Sequence, residues 1–292
     1  MQQDSPEKSA LRDEVVTAFE AVRNGNLDPV AQLDALGKQI VPLMAPYLED
    51  RNPDVRREAV RLLKQIGGRE ALPSLVTALG DTEREIQETA AEGLYLHTPT
   101  SDVAATPGAE SRARASVAAG NHTAAAILLL GRFSGTESEQ LLRSLRAESP
   151  EQLSKLHPWS AAVPVAIPAL VALSLRGDND ARQELLRTIH DGDPKVLEFL
   201  LSVLREIDSP EVIHALKNVL GDERPTTAGV PSGGEAELRL CDLAVNAFVR
   251  DLELDVDFEI ADSESYTPEQ IDAVRREARE QPPENVVLYR RA

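Results

Sequence analysis

A pattern that occurs twice, 31 positions apart, constrains this fold more than any other feature of the sequence. Each copy has an acidic residue, a branched apolar residue, an alanine and a leucine at fixed spacing: Asp50, Val55, Ala59 and Leu63, then Asp81, Ile86, Ala90 and Leu94. The same offset relates two further pairs upstream, which are Pro42 and Leu48 with Pro73 and Leu79. A fixed period of this length is typical of helical repeat arrays, in which each repeat packs only on its neighbours.

The second helix of each repeat carries an apolar stripe that one helix pair cannot bury alone. Val55, Leu62, Leu63 and Ile66 fall on one side of such a helix, and Ala59 is small enough for a neighbouring helix to approach closely. Stacking of successive repeats buries a stripe of this kind. Aromatic residues make up only 3% of the chain, which suits a core packed from Leu, Val, Ile and Ala. We therefore predict an all-α fold of stacked antiparallel helix pairs.

The residues that open the second helix resemble the HEAT repeat, in the short variety also found in relatives of the phycocyanobilin lyases. In that family the first helix ends in Leu, the turn contains Asp, and the second helix has Val-Arg followed by Ala one turn later. Val55, Arg56 and Ala59 match this pattern directly. The second copy has Gln87 where the family has Arg, which we expect to weaken that repeat slightly. The resemblance implies an α-solenoid, or superhelix, whose second helices line a concave surface.

Weaker copies extend the array to about residue 250. One copy lies 126 positions further on, where Asp54, Val55 and Arg56 correspond to Asp180, Ala181 and Arg182. The segment 237–245 has the spacing of a last second helix, and 28–48 reads as one helix with Pro42 inside it. Two segments rich in Thr, Pro and Gly, at about 97–111 and 222–234, are predicted to be exposed loop insertions. We assign residues 1–250 to one HEAT-repeat α-solenoid.

The remaining segment, 251–292, is predicted to be an acidic tail that caps the array. From Asp251 to Ile260 acidic residues alternate with apolar ones, a period of two that is typical of a strand. Residues 285–291 are also strand-like, and Thr267 and Pro268 open a helix that reaches about Glu280. We expect the two strand-like segments, singly or paired as a small β element, to cover the open end of the stack.

No residue pattern indicates catalysis, a cofactor or a metal. The five histidines have no second histidine or carboxylate at ligand spacing, and the His-Glu pairs of deoxyhypusine hydroxylase, an iron enzyme on a HEAT scaffold, are absent from the sequence. Cys241 is expected to be a small buried residue on a helix. The seven acidic residues between positions 251 and 264 lack the ligand order and glycine turn of a calcium loop. We therefore predict a protein that is not an enzyme and has no cofactor.

The net charge of −18 argues against nucleic acid as a partner, because such a field repels phosphate backbones. It favours a protein partner that has a basic surface. No apolar run is long enough to span a bilayer, and no basic and then apolar signal segment opens the chain. We expect a cytoplasmic protein. The alternative is an exported protein whose signal peptide was removed and replaced by Met1.

Five residues on the second helices are candidates for contact with a partner. Arg57 and Arg61 are expected to be exposed on the helix that begins near position 53. One repeat later Glu88 and Glu92 occupy the equivalent positions, and Tyr95 follows them. Because these charges are opposite, ion pairing between neighbouring repeats is an alternative to a partner site.

The function that these observations favour is a non-enzymatic scaffold or adaptor that binds another protein on the concave face of the solenoid. The family resemblance implies one alternative, an enzyme or enzyme subunit of the bilin lyase type. A second alternative is an inhibitor or immunity protein for a basic partner, because acidic binding proteins can have this role.

Overall fold

The computed structural model describes residues 6–156, 162–226, 238–261 and 264–280. Its contacts divide the chain into two compact units, Met1–Ser138 and Glu139–Ala292, here called the first and the second unit. Helices dominate both units, and the fold class is the all-α solenoid that the sequence predicts. Within the described ranges, every helix is too short or too polar to traverse a lipid bilayer.

The first unit consists of short helices joined by tight turns. They are α1 (Pro6–Arg23), α2 (Asp28–Gln32), a 3-10 segment (Leu33–Leu43), α3 (Ala45–Leu48), α4 (Pro53–Ile66), α5 (Gly68–Ala78), α6 (Arg84–Leu96), α7 (Thr100–Ala105), α8 (Ala109–Ala118) and α9 (Ala124–Leu130), followed by the start of α10 (Thr136–Arg146).

Helix α4 shows how the sequence sets the bounds of a second helix. The Asn52 side chain accepts a hydrogen bond from the Asp54 N–H at 2.9 Å, and Pro53 stands at the first helical position, where no backbone donor is needed. Gly67 ends the helix with a φ of 62°, a conformation that favours glycine. The buried face is apolar throughout and consists of Val55, Ala59, Val60, Leu62 and Leu63.

The second helices of the first unit stack side by side. Helix α4 packs along α6, and α6 packs along α9. The first helices form another row, in which α5 contacts both the 3-10 segment and α8. Ala59 and Ala90 are fully buried, and at Gly93 of α6 an added Cβ would lie only 3.3 Å from the Cα of Lys64. The predicted stacking of helix pairs is confirmed, and small residues lie where the helices are closest.

The segment 28–48 differs from the single helix that the sequence predicts. Helix α2 ends at Gln32, the next residues are 3-10, and α-helix resumes only at Ala45. Gly37 interrupts the segment with φ of 55° and ψ of −137°, values outside any helix. The α-helix is thus interrupted before Pro42, because glycine allows the chain to leave the helical conformation.

The predicted loop insertion at 97–111 is wrong, because α7 and the start of α8 occupy most of it. Val103 of α7 is fully buried. Arg69 of α5 donates hydrogen bonds of 2.7 and 2.8 Å to the two carboxylate oxygens of Asp102. An apolar anchor and an ion pair therefore fix a segment whose Thr, Pro and Gly content is typical of loops.

The second unit continues α10 and adds two very short strands and further helices. They are β1 (Leu153–Ser154), β2 (Val163–Pro164), α11 (Ala166–Leu175), α12 (Asn179–Asp191), α13 (Pro194–Ser202), a 3-10 turn (Leu204–Glu206), α14 (Pro210–Leu216), a 3-10 segment (Lys217–Gly221), α15 (Leu240–Asp251) and α16 (Pro268–Glu280). The strands β1 and β2 pair antiparallel.

Helix pairs also organise the second unit. Helix α11 packs on α12, α12 along α14, α13 along α15, and α15 on α16. This order makes α15 the first helix of a pair that α16 completes, so the prediction of a last second helix at α15 is wrong. The tail supplies the partner helix, with bounds close to those predicted. The boundary between the compact units lies after Ser138, and position 250 is inside α15.

The β element predicted in the tail does not form within the described residues. Residues 254–261 pair with no strand, and 285–291 lie outside the described ranges. The alternation instead shows as burial, because Leu252 and Leu254 are buried whereas Glu253 and Asp255 are exposed. A period of two therefore identified which residues face the protein, but not the strand pairing.

The two ends of the second predicted insertion, 222–234, are joined. The Thr226 N–H donates a 2.8 Å hydrogen bond to the Leu238 carbonyl, and Pro225 forms a bridge with Arg239. Residues 227–237 between them lie outside the described part of the chain.

A buried carboxylate fastens the tail to α15. Asp242 is fully buried and accepts hydrogen bonds from the Arg239 N–H at 2.9 Å, from the Arg239 guanidinium at 2.8 and 3.0 Å, and from the Tyr266 N–H at 2.9 Å. The Tyr266 hydroxyl donates to Asn246 at 2.6 Å. Burial alone would raise the pKa of Asp242, but these donors outweigh it and lower the pKa below its ordinary value.

We expect Asp242→Asn to reduce stability at pH 7, and this difference from the wild type to shrink as the pH falls towards 3. A carboxyl with a lowered folded-state pKa stabilises the protein above its unfolded pKa of about 4, and this contribution is lost as it protonates. Urea unfolding at several pH values measures the difference. The control is Glu269→Gln, an exposed change on α16, which is expected to give a small and constant difference. A difference for Asp242→Asn that is the same at pH 7 and pH 3 would contradict this.

Candidate interaction surface

The candidate contact residues lie on α4 and α6, two second helices that each bury an apolar stripe. The Asn52 side chain caps the N-terminus of α4. The side chains of Arg57 and Arg61 are about one third exposed, at 33% and 34%. Both are already paired within the protein. Arg57 donates to Asp54 at 2.5 Å and to Glu85 at 2.9 Å.

Arg61 pairs in the opposite direction along the stack. Its Nε donates to Glu58 at 2.7 Å, one turn earlier in the same helix, and its Nη1 lies 3.3 Å from an Asp34 oxygen in the preceding 3-10 segment. Glu92 of α6 pairs with Lys64 of α4 at 2.7 Å. Ion pairs between neighbouring repeats therefore form, as the alternative interpretation of the sequence proposed. The residues that pair do not occupy equivalent positions of the two repeats.

The register of these pairs follows from the geometry of stacking. Arg57 pairs with Glu85 and Lys64 with Glu92, and each pair is 28 positions apart rather than 31. Residues one repeat apart point in the same direction from their helices, so they do not face each other. The partner of a residue lies on the next helix, one turn before the equivalent position.

Tyr95 is buried at 2% exposure, so the prediction that it contacts a partner is wrong. The Arg132 guanidinium stacks 4.8 Å from the centre of its ring. Arg132 also donates to the carbonyls of Leu94, Tyr95 and Thr98 at 3.2, 2.8 and 3.2 Å. Tyr95 and Arg132 together therefore close the C-terminal end of α6, where the carbonyls of a helix lack intrahelical partners.

Glu88 differs from the other candidates because its charge is poorly compensated. Its side chain is 38% exposed, and the cation paired with it, Arg84, lies one turn earlier on α6 at 3.8 Å. Burial raises the pKa of Glu88, and Arg84 only partly opposes that effect. This carboxylate is therefore partly desolvated and within reach of solvent, which favours binding of an external cation.

A series of polar contacts that the sequence did not predict joins neighbouring repeats. Two residues before the N-cap of each second helix, an Asp or Asn side chain accepts a hydrogen bond from the N-cap N–H: Asp50 for α4, Asp81 for α6 and Asn121 for α9, at 2.9, 2.8 and 3.4 Å. Arg56, the fourth residue of α4, reaches Asp81 directly, and Gln87, the fourth residue of α6, reaches Asn121 through Ser116. Asp50 is reached by Arg23, the last residue of α1. We call each such link a rung.

The rung between α4 and α6 is the strongest. Arg56 donates to both carboxylate oxygens of Asp81 at 2.8 and 3.0 Å and to the Asp50 carbonyl at 2.9 Å. In the next rung Gln87 replaces the arginine, donates to the Asp81 carbonyl at 2.7 Å and accepts from Ser116 at 2.7 Å. Ser116 in turn accepts from Asn121 at 3.0 Å. The arginine and the aspartate of the first rung are thus both replaced by neutral residues in the second, Gln87 and Asn121. This paired replacement is visible in the sequence, but sequence reasoning missed it.

The described residues show no arrangement suited to catalysis by a metal. No group of three or more His, Cys, Asp and Glu side chains among them is placed to hold a metal ion. Cys241 is buried, as predicted, and burial raises the pKa of its thiol. Trp159 and His157 lie outside the described part of the chain.

Comparison with known proteins agrees with the repeat geometry. A family model of HEAT repeats matches residues 30–107, which include α4 to α7. The fold is similar to that of a chain in the solved complex of CpcE and CpcF of phycocyanin lyase from Nostoc sp. PCC7120, with a TM-score of 0.52 and 17% identity over 95% of this chain and 94% of that chain. No curated protein sequence matches. The chain therefore contains HEAT repeats within an α-solenoid of the kind seen in that complex.

Proposed function

We propose that this chain is a non-catalytic scaffold that binds another protein through the exposed face of α4 and α6. In HEAT arrays the second helices line the concave surface, and these two helices are second helices of the first unit. Most charges on this face pair with one another and contribute little net field. The specificity of this surface for a partner protein therefore depends on the few charged groups whose charge is not neutralised by an ion pair.

Glu88 is the observation that supports this proposal most strongly. The Glu88 side chain is partly buried, and its ion-pair partner Arg84 is 3.8 Å away. A cation of another protein that came closer would interact more strongly with Glu88 than with a fully hydrated carboxylate. The chain's net charge of −18 would speed the approach of a basic partner. The solved complex to which the fold is similar contains two different proteins, which is consistent with association as the role of this fold.

We expect Glu88→Arg to weaken binding of the partner at least about tenfold, because it places a like charge against a basic surface. The partner would be captured from the source organism on the immobilised wild-type protein, identified, purified and titrated. The matched control is Glu49→Arg, which makes the same charge change at an exposed position between α3 and α4. Equal affinity of the wild type and Glu88→Arg for the captured protein would contradict the proposed surface.

The bilin lyase alternative has support from the likeness to a lyase complex, which at 17% identity extends to the fold. It predicts that the chain binds a tetrapyrrole. Titration with phycocyanobilin followed by absorbance tests this, with serum albumin as a control for unspecific uptake. A saturable spectral change at micromolar ligand would favour the lyase alternative over the pure scaffold.

A further inference from the structure

The second unit contains a rung position that lacks its acceptor. Helix α12 is capped by Asp178 and α14 by Ser209, so Arg182 is the fourth residue of α12 and Ile207 lies two residues before the cap of α14. These are the positions of Arg56 and Asp81 in the first unit. Helices α12 and α14 pack along each other as α4 and α6 do. An isoleucine that is 3% exposed thus stands where the first unit has the carboxylate.

Arg182 accordingly has no partner among the described residues. Its Nε is buried and forms no hydrogen bond, whereas Arg56 donates three close hydrogen bonds to the equivalent acceptors. The rest of the Arg182 side chain is only partly exposed. A guanidinium has five N–H donors and keeps its charge, so leaving it partly desolvated and unpaired destabilises the folded chain.

The carboxylates nearest in the sequence do not pair with Arg182. Asp178 accepts from the Ala181 N–H at 3.0 Å and pairs with Arg143 of α10 at 3.0 Å. Glu184 accepts from Arg146 of α10 at 2.9 Å. Asp180 is exposed and, two positions away on the helix, projects in a different direction. Asp208, next to Ile207, forms no hydrogen bond or ion pair with Arg182 within the described structure.

We propose that Arg182 is a receptor for a carboxylate supplied by another molecule, which provides the acceptor that Asp81 provides for Arg56 in the first unit. A guanidinium binds a carboxylate with two parallel hydrogen bonds, and an arginine with little access to water gains most from such a pair. The ligand class is therefore a carboxylate, such as an acidic side chain or a C-terminus of a bound protein. This site lies in the second unit, so it is independent of the proposed role of Glu88.

The test uses the full chain labelled with ¹⁵N at arginine, and sodium acetate as the probe, added at constant ionic strength against sodium chloride. The Nε–H resonance of Arg182, assigned by its loss in Arg182→Lys, is expected to shift with saturation at a midpoint of about 50 mM or less. The matched control within the same spectrum is Arg187, an exposed arginine on α12, whose resonance is expected to drift without saturation.

Two outcomes would overturn the proposal. One is an Arg182 resonance that responds to acetate as Arg187 does. The other is a resonance that already has the shift of a carboxylate-bound arginine without acetate and loses it in Asp208→Asn, which would mean that Asp208 completes the rung internally. If Asp208→Asn instead leaves the acetate midpoint unchanged or lowers it, the external site is supported, because that change removes a competing negative charge.

Discussion

Replacing Ala59 with aspartate is expected to lower the free energy of unfolding by about 4 kcal/mol or more, which is enough to unfold many domains. Ala59 is fully buried on α4 where the second helices stack, and the apolar face around it offers no cation. A carboxylate there must either remain unpaired away from water or force α4 and α6 apart. Ala90→Asp, at the equivalent and equally buried position of α6, is expected to act in the same way.

Urea unfolding followed by circular dichroism measures both variants. The matched control is Ala115→Asp, which makes the same substitution at an exposed position inside α8 and is expected to cost about 0.5 kcal/mol through helix propensity. If Ala59→Asp and Ala90→Asp both keep the wild-type midpoint, the helices do not stack through these alanines.

The second large effect is expected for Asp81→Ala, at about 3 kcal/mol. The side chains of Arg56 and Asp81 are 12% and 8% exposed, so the truncation leaves a largely buried guanidinium with two fewer acceptor atoms. It also frees the Glu83 N–H at the start of α6. Asp54→Ala is the control, since this carboxylate is 57% exposed and pairs on the surface with Arg57; its loss is expected to cost less than about 1 kcal/mol.

The fold of this chain could be predicted because its strongest sequence signal is also its main structural principle. The residues that recur with a period of 31 are those that each helix buries. Val55 and Ala59, and their equivalents Ile86 and Ala90, are all fully buried. Segments without that signal were predicted less well. Composition alone suggested a loop at 97–111, but one buried side chain, Val103, and one ion pair to α5 are enough to order α7.

The candidate surface could be predicted only in part, for a geometric reason. Periodicity shows which positions are equivalent, and equivalent positions such as Arg57 and Glu88 point the same way. It does not show which positions face each other, and the stack places Glu85 against Arg57. Tyr95 was misassigned because its contact, Arg132, lies 37 residues later in the turn after α9 and is not visible in one repeat.

The tail shows the same difference between local and long-range information. Alternation between Asp251 and Ile260 correctly separated residues that face the protein from those that face solvent near its start. A strand also needs a partner strand, and here the chain is held instead by Tyr266, Asn246 and Asp242. Contacts of this kind join residues about 20 positions apart and follow no repeat, so the sequence pattern could not reveal them.

The central claim is that rungs couple neighbouring repeats, and a double-mutant cycle between Arg56 and Asp81 tests it most directly. Urea unfolding of the wild type, both alanine variants and the double variant gives the coupling energy. We expect at least about 1.5 kcal/mol for this pair, and close to zero in a parallel cycle between Arg57 and Glu88, which are equivalent in sequence but do not pair. A coupling between Arg56 and Asp81 below about 0.3 kcal/mol, or an equal coupling in both cycles, would contradict it.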